Sequence, residues 1–292
     1  MLINLSNKSR KAWSLFLSNN INLGHVNRKQ SGINLDEHIK LCMISSEKTA
    51  LRVKYDLPSN FSPVSILEVG CSTGLNCYAL QKVFPKAKVI GLEPEQEALD
   101  AALSMKQGAI SPNFIKGVSE KIEIEDNSID LIVCHTVIEH VKNVEQSIKE
   151  FSRILKLNGI IHLDAPNYVW PYEPHLKIWT VPLLGKNFVK WTAQIQGKKK
   201  LINFLDHLQF VTPFKLEKLF LNSNLKWQNR AKIKLQNTAN GVADIKKYKF
   251  LSRILFFSKI LKISKLIIFI IYKLGFYPSV MYTVYKPTLL NK

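Results

Sequence analysis

Two glutamates stand where they could grip a nucleotide. Glu68 lies just inside the end of a short apolar run, VSILEV (Val64–Val69), and Glu93 closes a second one that begins at Lys88. Between them LEVGCSTG (Leu67–Gly74) forms a turn from strand to helix. Small residues there let the backbone approach a ligand and aim N–H groups at it from a helix N-terminus. A carboxylate at the end of the second strand can accept hydrogen bonds from both hydroxyls of a ribose. A glycine turn with an acidic second strand does not by itself separate a dinucleotide from another adenosine ligand. The dinucleotide fingerprint needs G-x-G-x-x-G, whereas Gly70, Ser72 and Gly74 make G-x-S-x-G. Glu68 at the end of the first strand suits a ligand carrying an amino group and a sulfonium better than one carrying a pyrophosphate.

The elements that must hold these residues follow from spacing. Helices are expected at Leu75–Phe84, closed by Pro85, from about Pro94 to Lys106, and at Val144–Leu155. Strands are expected at Val64–Val69, Lys88–Leu92, Asn113–Lys116, Ile129–His135 and Ile160–Leu163. The run Ile129–His135 is apolar nearly throughout, as a centrally buried strand would be. Strands alternating with helices predict an α/β fold, a doubly wound, mostly parallel sheet closed by right-handed crossovers. Residues 1–60 are expected to form an N-terminal helical cap, with Asn34 or Asp36 capping the segment HIKLCMISSEKTALRVKY. The core is expected over residues 61–244, with a lid insertion at about 166–211. Thr212 caps and Pro213 starts a later helix. Leu225–Leu235 and Ser279–Tyr285 have the pattern of late strands, and residues 277–292 hold the last strand and tail. Residues 245–276 form a basic, amphipathic helical segment between them.

The 292 residues carry a formal charge of +19, which points to a polyanionic partner or an anionic membrane surface. No acidic residue occurs from Ile245 to Lys292, so much of the basic surplus is C-terminal. Cys42, Cys71, Cys77 and Cys134 show no disulfide framework and no paired metal-ligand spacing, as in a reducing, cytoplasmic setting. The strongly apolar run Leu266–Tyr272 is far short of the roughly 20 residues that span a bilayer, so no transmembrane helix is expected.

LEVGCSTG, GLEP, GVSEKIEIEDNSIDLIV, CHTVIEHV and LKLNGIIHLDAPN, in that order, resemble class I S-adenosylmethionine-dependent methyltransferases. The likeness is to the group holding ubiquinone-biosynthesis and sugar O-methyltransferases, and it covers Val64–Asn167. It implies a seven-stranded Rossmann-like methyltransferase fold and S-adenosylmethionine as cofactor. Gly70, Cys71, Ser72 and Gly74 would shape the loop around its methionine part. Glu68 would hold the amino group and Glu93 the ribose hydroxyls. Ser119 and Glu120 would lie near the adenine, and His135 would line the pocket. The family usually has glycine at Ser72 and often an acidic residue at Val118.

Methyl transfer from a sulfonium needs an aligned nucleophile, and a hydroxyl acceptor also benefits from a base. His140, after the fourth strand, is the leading candidate; His162, His175 and His207 are further ones, and of these His207, before FVTPF, is the most interesting. Ubiquinone-pathway enzymes carry a metal-binding E-x-x-E-H pattern here. Thr136 occupies its first position, so no metal is expected. The expected acceptor is a small or lipid-linked hydroxyl compound, a sugar or a quinone precursor. The basic segment 245–276 is expected to meet an anionic membrane, giving a cytoplasmic protein peripheral to the inner face. An RNA methyltransferase is the alternative suggested by charge, but the N-P-P-Y-type signature is absent and nucleic acid is not expected as a partner. A non-catalytic, membrane-associated binding protein keeping the fold is the remaining alternative.

Overall fold

Apolar runs of four to seven residues build the central strands of the computed structural model, which describes residues 6–22, 34–105, 111–199, 202–241 and 249–288. The strands are β1 (Ser65–Val69), β2 (Lys88–Glu93), β3 (Asn113–Lys116), β4 (Ile129–His135), β5 (Leu155–Pro166), β6 (Tyr172–Glu173), β7 (Ile178–Trp179), β8 (Lys226–Asn229) and β9 (Ser279–Tyr285). The helices are α1 (Asn7–Asn22), α2 (Leu35–Asp56), α3 (Leu75–Val83), α4 (Gln96–Ser104), α5 (Val144–Ile154), α6 (Lys186–Ile195), α7 (Phe204–His207), α8 (Pro213–Asn222), α9 (Arg230–Ala239), α10 (Lys249–Ile260) and α11 (Ser264–Lys273). One sheet has the order β3-β2-β1-β4-β5-β9-β8, with a separate β6–β7 pair. Pairings of β1 with β2 and β4, and of β2 with β3, are parallel, while β8 and β9 are antiparallel. The expected mostly parallel, doubly wound seven-stranded sheet is therefore present.

The described residues divide into two compact units. The first runs through His135 and takes in Glu145–His162; the second comprises Thr136–Val144 and Leu163–Pro287. In the first, Trp13, Ile39, Leu75, Ala101 and Met105 form a core joining α1 and α2 to α3 and α4. Asn34 caps α2, its side chain accepting from the Asp36 N–H. Register brings the carboxyl ends of the strands level: Val69 pairs with Leu92 and Cys134, and Glu93 with Lys116.

In the second unit the segment expected as a lid has a core of its own, built on Leu176, Ile178, Val189, Ala193, Leu205 and Leu208. Lys200 and Leu201 of that segment lie outside the described residues, as do Lys106 at the end of the expected α4 and residues 245–248.

The expected strand over Leu225–Leu235 is corrected: β8 ends at Asn229 and α9 begins at Arg230. Asn229 caps α9, accepting from the Ala231 N–H at 3.0 Å. The buried set Ala231, Leu235, Thr238 and Ala239 then follows helical spacing. The basic segment forms two helices, with Lys262 turning between them at φ 58°.

Candidate cofactor and catalytic site

The loop after β1 is built from left-handed residues. Gly70, Ser72 and Gly74 have φ of 65°, 48° and 73°. At Gly74 an added Cβ would also lie 2.6 Å from the Phe114 ring and 2.9 Å from the Ala102 Cβ, so only glycine fits. The backbone N–H groups of Gly70 and Cys71 both donate to the Leu92 carbonyl, at 2.8 and 3.1 Å. Ser72 adopts the left-handed conformation with its N–H donating to Glu93 Oε2 at 2.8 Å.

Glu93 is buried and fixed from both sides, since its Oε1 accepts from the Glu95 N–H at 3.1 Å. Each oxygen keeps a further lone pair for a ligand hydroxyl. Burial raises its pKa, and the N–H bonds from Glu95 and Ser72 oppose that rise. Glu68 is buried too, with Asn76 donating to Oε1 and the Cys77 thiol to Oε2 at 2.9 Å. Burial lifts its pKa to about 7, against the pull of those two bonds, and Glu93 adds to the rise. Such a carboxylate has an electrostatic need for a cationic group. Asn76 and Cys77 escaped the sequence reading because helix residues beside a glycine turn carry no chemical signature.

Ser119 is held by Ser147 of α5, Oγ to Oγ 2.7 Å, and donates to Glu120 Oε2 at 3.2 Å. Arg153 of α5 fastens the same loop through the carbonyls of Ile122 and Ile124, at 2.7 and 2.9 Å. At the end of β4, His135 Nε2 lies 2.6 Å from His162 Nδ1, and His162 Nε2 lies 3.0 Å from Asp56 Oδ2. An ionised Asp56 accepts only, so neutral His162 carries its proton on Nε2 and accepts from His135 Nε2–H. His162 is one of the sequence's further candidate histidines, whereas Asp56, 106 positions away, carries no signal there.

In the second unit, Thr136 turns the chain at φ 52°, rare for a β-branched residue, with its N–H donating to the Asp164 carbonyl at 2.7 Å. Glu139 follows, fully buried, with neither carboxylate oxygen hydrogen-bonded to another side chain among the described residues. Burial raises its pKa to about 7, with His175 pulling it down and Glu173 pushing it up. His140 Nε2 stands 3.8 Å from Glu139 Oε1, and its ring packs edge-on against His175 and at a tilt against Phe204 of α7. His175 Nδ1 is 2.6 Å from Glu173 Oε1. The donor atoms of Glu139, His140 and His175 all lie within 4.8 Å of one another, close enough to hold one cation. His207 is exposed; the α7 residue against His140 is Phe204. The loop is tied down where the Gln209 N–H donates to the Glu139 carbonyl at 2.6 Å. Glu173 and His175 lay in an aromatic segment whose pattern gave no reason to pair them with residues 139–140.

Residues 67–163 match the family described as Methyltransferase domain. The chain is 26% identical over 168 residues to the ubiquinone biosynthesis O-methyltransferase of Bartonella bacilliformis, covering 57% of this chain and 61% of that protein. The chain thus spans about three fifths of that relative's length. Among solved structures it is similar to phosphoethanolamine N-methyltransferase 2 of Haemonchus contortus in complex with S-adenosyl-L-methionine. The TM-score is 0.51 at 16% identity, over 82% of this chain and 53% of that one. It is also similar to geranyl diphosphate methyltransferase in complex with GPP and sinefungin, with a TM-score of 0.51 at 12% identity over 82% and 77% of the two chains. These last two are likenesses of fold. Residues 67–163 therefore carry a methyltransferase domain, and the likeness supports S-adenosylmethionine as its cofactor.

Proposed function

We propose that the protein transfers the methyl group of S-adenosylmethionine to a hydroxyl oxygen of a small or lipid-linked acceptor, a sugar or a quinone precursor. The observation that carries this reading is the left-handed loop Gly70–Gly74 closing on Glu93 beside buried Glu68. The donor set fits the cofactor: Glu68 offers a negative charge to its ammonium, and Glu93 has lone pairs for two ribose hydroxyls. Ser119 and Glu120 attend the adenine, and Cys71 and His135 line the pocket. The bound cofactor supplies an activated methyl.

The chain's part is then to place the acceptor oxygen and take its proton. His140 is the base, and Glu139 at 3.8 Å stabilises the imidazolium that forms. His207, on α7, is the second candidate. Relatives named ubiquinone biosynthesis O-methyltransferase favour oxygen as the nucleophile. The basic apolar helices α10 and α11 favour an acceptor carried on a lipid.

The test is calorimetric titration of S-adenosylmethionine and S-adenosylhomocysteine into the wild type and Glu93→Ala. It is followed by transfer assays on phenols and lipid-linked sugars with His140→Ala and His140→Gln. Micromolar binding that Glu93→Ala weakens by about 100-fold is expected, because two hydrogen bonds to a charged group are lost. Both His140 variants should bind cofactor normally and lose turnover by about 100-fold or more. A folded wild type that binds neither ligand overturns the proposal. A turnover that chelation abolishes and magnesium restores would convert Glu139, His140 and His175 from a base site to a cation site.

A further inference from the structure

Helices α10 and α11 bury one side and leave too much apolar surface on the other. Leu251, Leu255 and Ile268 enter a core with Trp170, Leu235 and Tyr277. Facing away from it, Phe256, Phe257, Ile260, Leu261, Leu266 and Phe269 are each more than half exposed, Leu261 at 66%. Large apolar side chains gathered in this way on two adjoining helices mark an interaction surface rather than a singly scattered one. A helix apolar on both sides calls for a second apolar surface.

The charges say which surface. Arg253, Lys259, Lys262, Lys265 and Lys273 are all exposed along the same two helices, and no acidic residue occurs from Ile245 to Lys292. A second copy laid on this face would set these five cations against five like charges, with no carboxylate in the segment to pair with them. An anionic lipid surface takes both features at once. Phosphate groups neutralise the lysines, whose alkyl stems reach up from the acyl boundary, and the rings enter that boundary. The helices have 12 and 10 residues, about 18 and 15 Å of axis, against a hydrocarbon core of about 30 Å, so they lie in the plane. Among the described residues no helix is long and apolar enough to cross a membrane.

We infer that the α10–α11 pair is a docking surface for an anionic bilayer leaflet. Docking deepens the reading of a lipid-linked acceptor but does not depend on methyl transfer. The test is co-flotation of the full chain with vesicles of phosphatidylcholine alone or mixed with phosphatidylglycerol, at low and high salt. The wild type should float with the mixed vesicles and release as salt rises. Lys262→Gln with Lys265→Gln should weaken partitioning by roughly 30-fold, and Phe256→Ser with Phe257→Ser by roughly 100-fold or more. These positions are exposed, so circular dichroism and cofactor titration should read unchanged in both variants.

The inference fails if the folded chain floats with neither vesicle, or if the Phe256→Ser, Phe257→Ser variant floats as well as wild type. It also fails if the chain is a stable dimer without lipid that those serines separate. A chain that floats yet binds no cofactor keeps the docking surface and removes the methyl-transfer reading.

Discussion

Glu68 ties the stability of the protein to pH. Its folded pKa of about 7 lies above its ordinary 4.5, because burial disfavours the charged form. A raised pKa means that the folded state binds the extra proton. Its contribution is therefore complete below pH 4.5 and is lost as pH rises through about 7. Glu139, also near 7, acts in the same direction. We expect wild-type stability without cofactor to decline across this window by on the order of 3 kcal/mol for Glu68. Thermal melts of Glu68→Gln, which cannot ionise, should decline less, and parallel curves would remove Glu68 from the account. With S-adenosylmethionine present the sign reverses, because a bound ammonium favours the carboxylate. Affinity should tighten through pH 7 in the wild type and stay flat in Glu68→Gln. Ser72 marks where sequence reasoning stopped at this scale. A small residue was legible there, but not that a serine at φ 48° could keep the left-handed turn and still hand its N–H to Glu93.

Helix α5 holds from a distance the loop that we propose attends the adenine. Glu150 accepts from the Ile122 N–H at 2.8 Å, Arg153 holds the carbonyls of Ile122 and Ile124, and Ser147 holds Ser119. Arg153→Met keeps the aliphatic stem and removes the clamp. We expect cofactor affinity to fall by about tenfold, the worth of roughly one charge-assisted hydrogen bond. Amide exchange at Ile122 and Ile124 should quicken while that of β1 does not. An unchanged affinity would mean that the loop stands without its clamp. Elements of this kind were legible where one period ran uninterrupted, as in α5 and β9. The reading failed over Leu225–Leu235, where alternation through Ile233 and Leu235 competed with the helical set Ala231, Leu235 and Ala239. There the Asn229 cap decided the outcome. The pairing of Asp56 with His162 was not legible, because it is made by packing the end of α2 against β5 and no local spacing records it.

Across the whole molecule, charge is arranged unevenly between surface and interior. The surplus of +19 repels itself in water, yet Arg230 is buried in the second unit. Its Nη2 donates to Asp164 Oδ1 and to the carbonyls of Leu163 and Tyr282, joining β5, α9 and β9. Asn167 binds the carbonyls of Gly275 and Tyr277 beside this network, and Asn229 donates to the hydroxyls of Tyr277 and Tyr282. These bonds anchor the segment that follows α11, so the network holds the base of the proposed membrane face. A buried ion pair adds little over a well-packed apolar pair, whereas half of one is costly. Arg230→Ala should therefore destabilise by about 3–5 kcal/mol, since it strands Asp164 and opens a cavity. Arg230→Met with Asp164→Asn should recover a large part of that loss, because no unpaired charge remains. Denaturant unfolding of Arg230→Met, of Asp164→Asn and of the two combined reports the coupling directly. If the double variant is as unstable as the sum of the singles, the pair contributes only packing. If it is restored, the network's role is to fix which strands and helices meet beneath α10 and α11, and vesicle binding by the double variant should then match wild type.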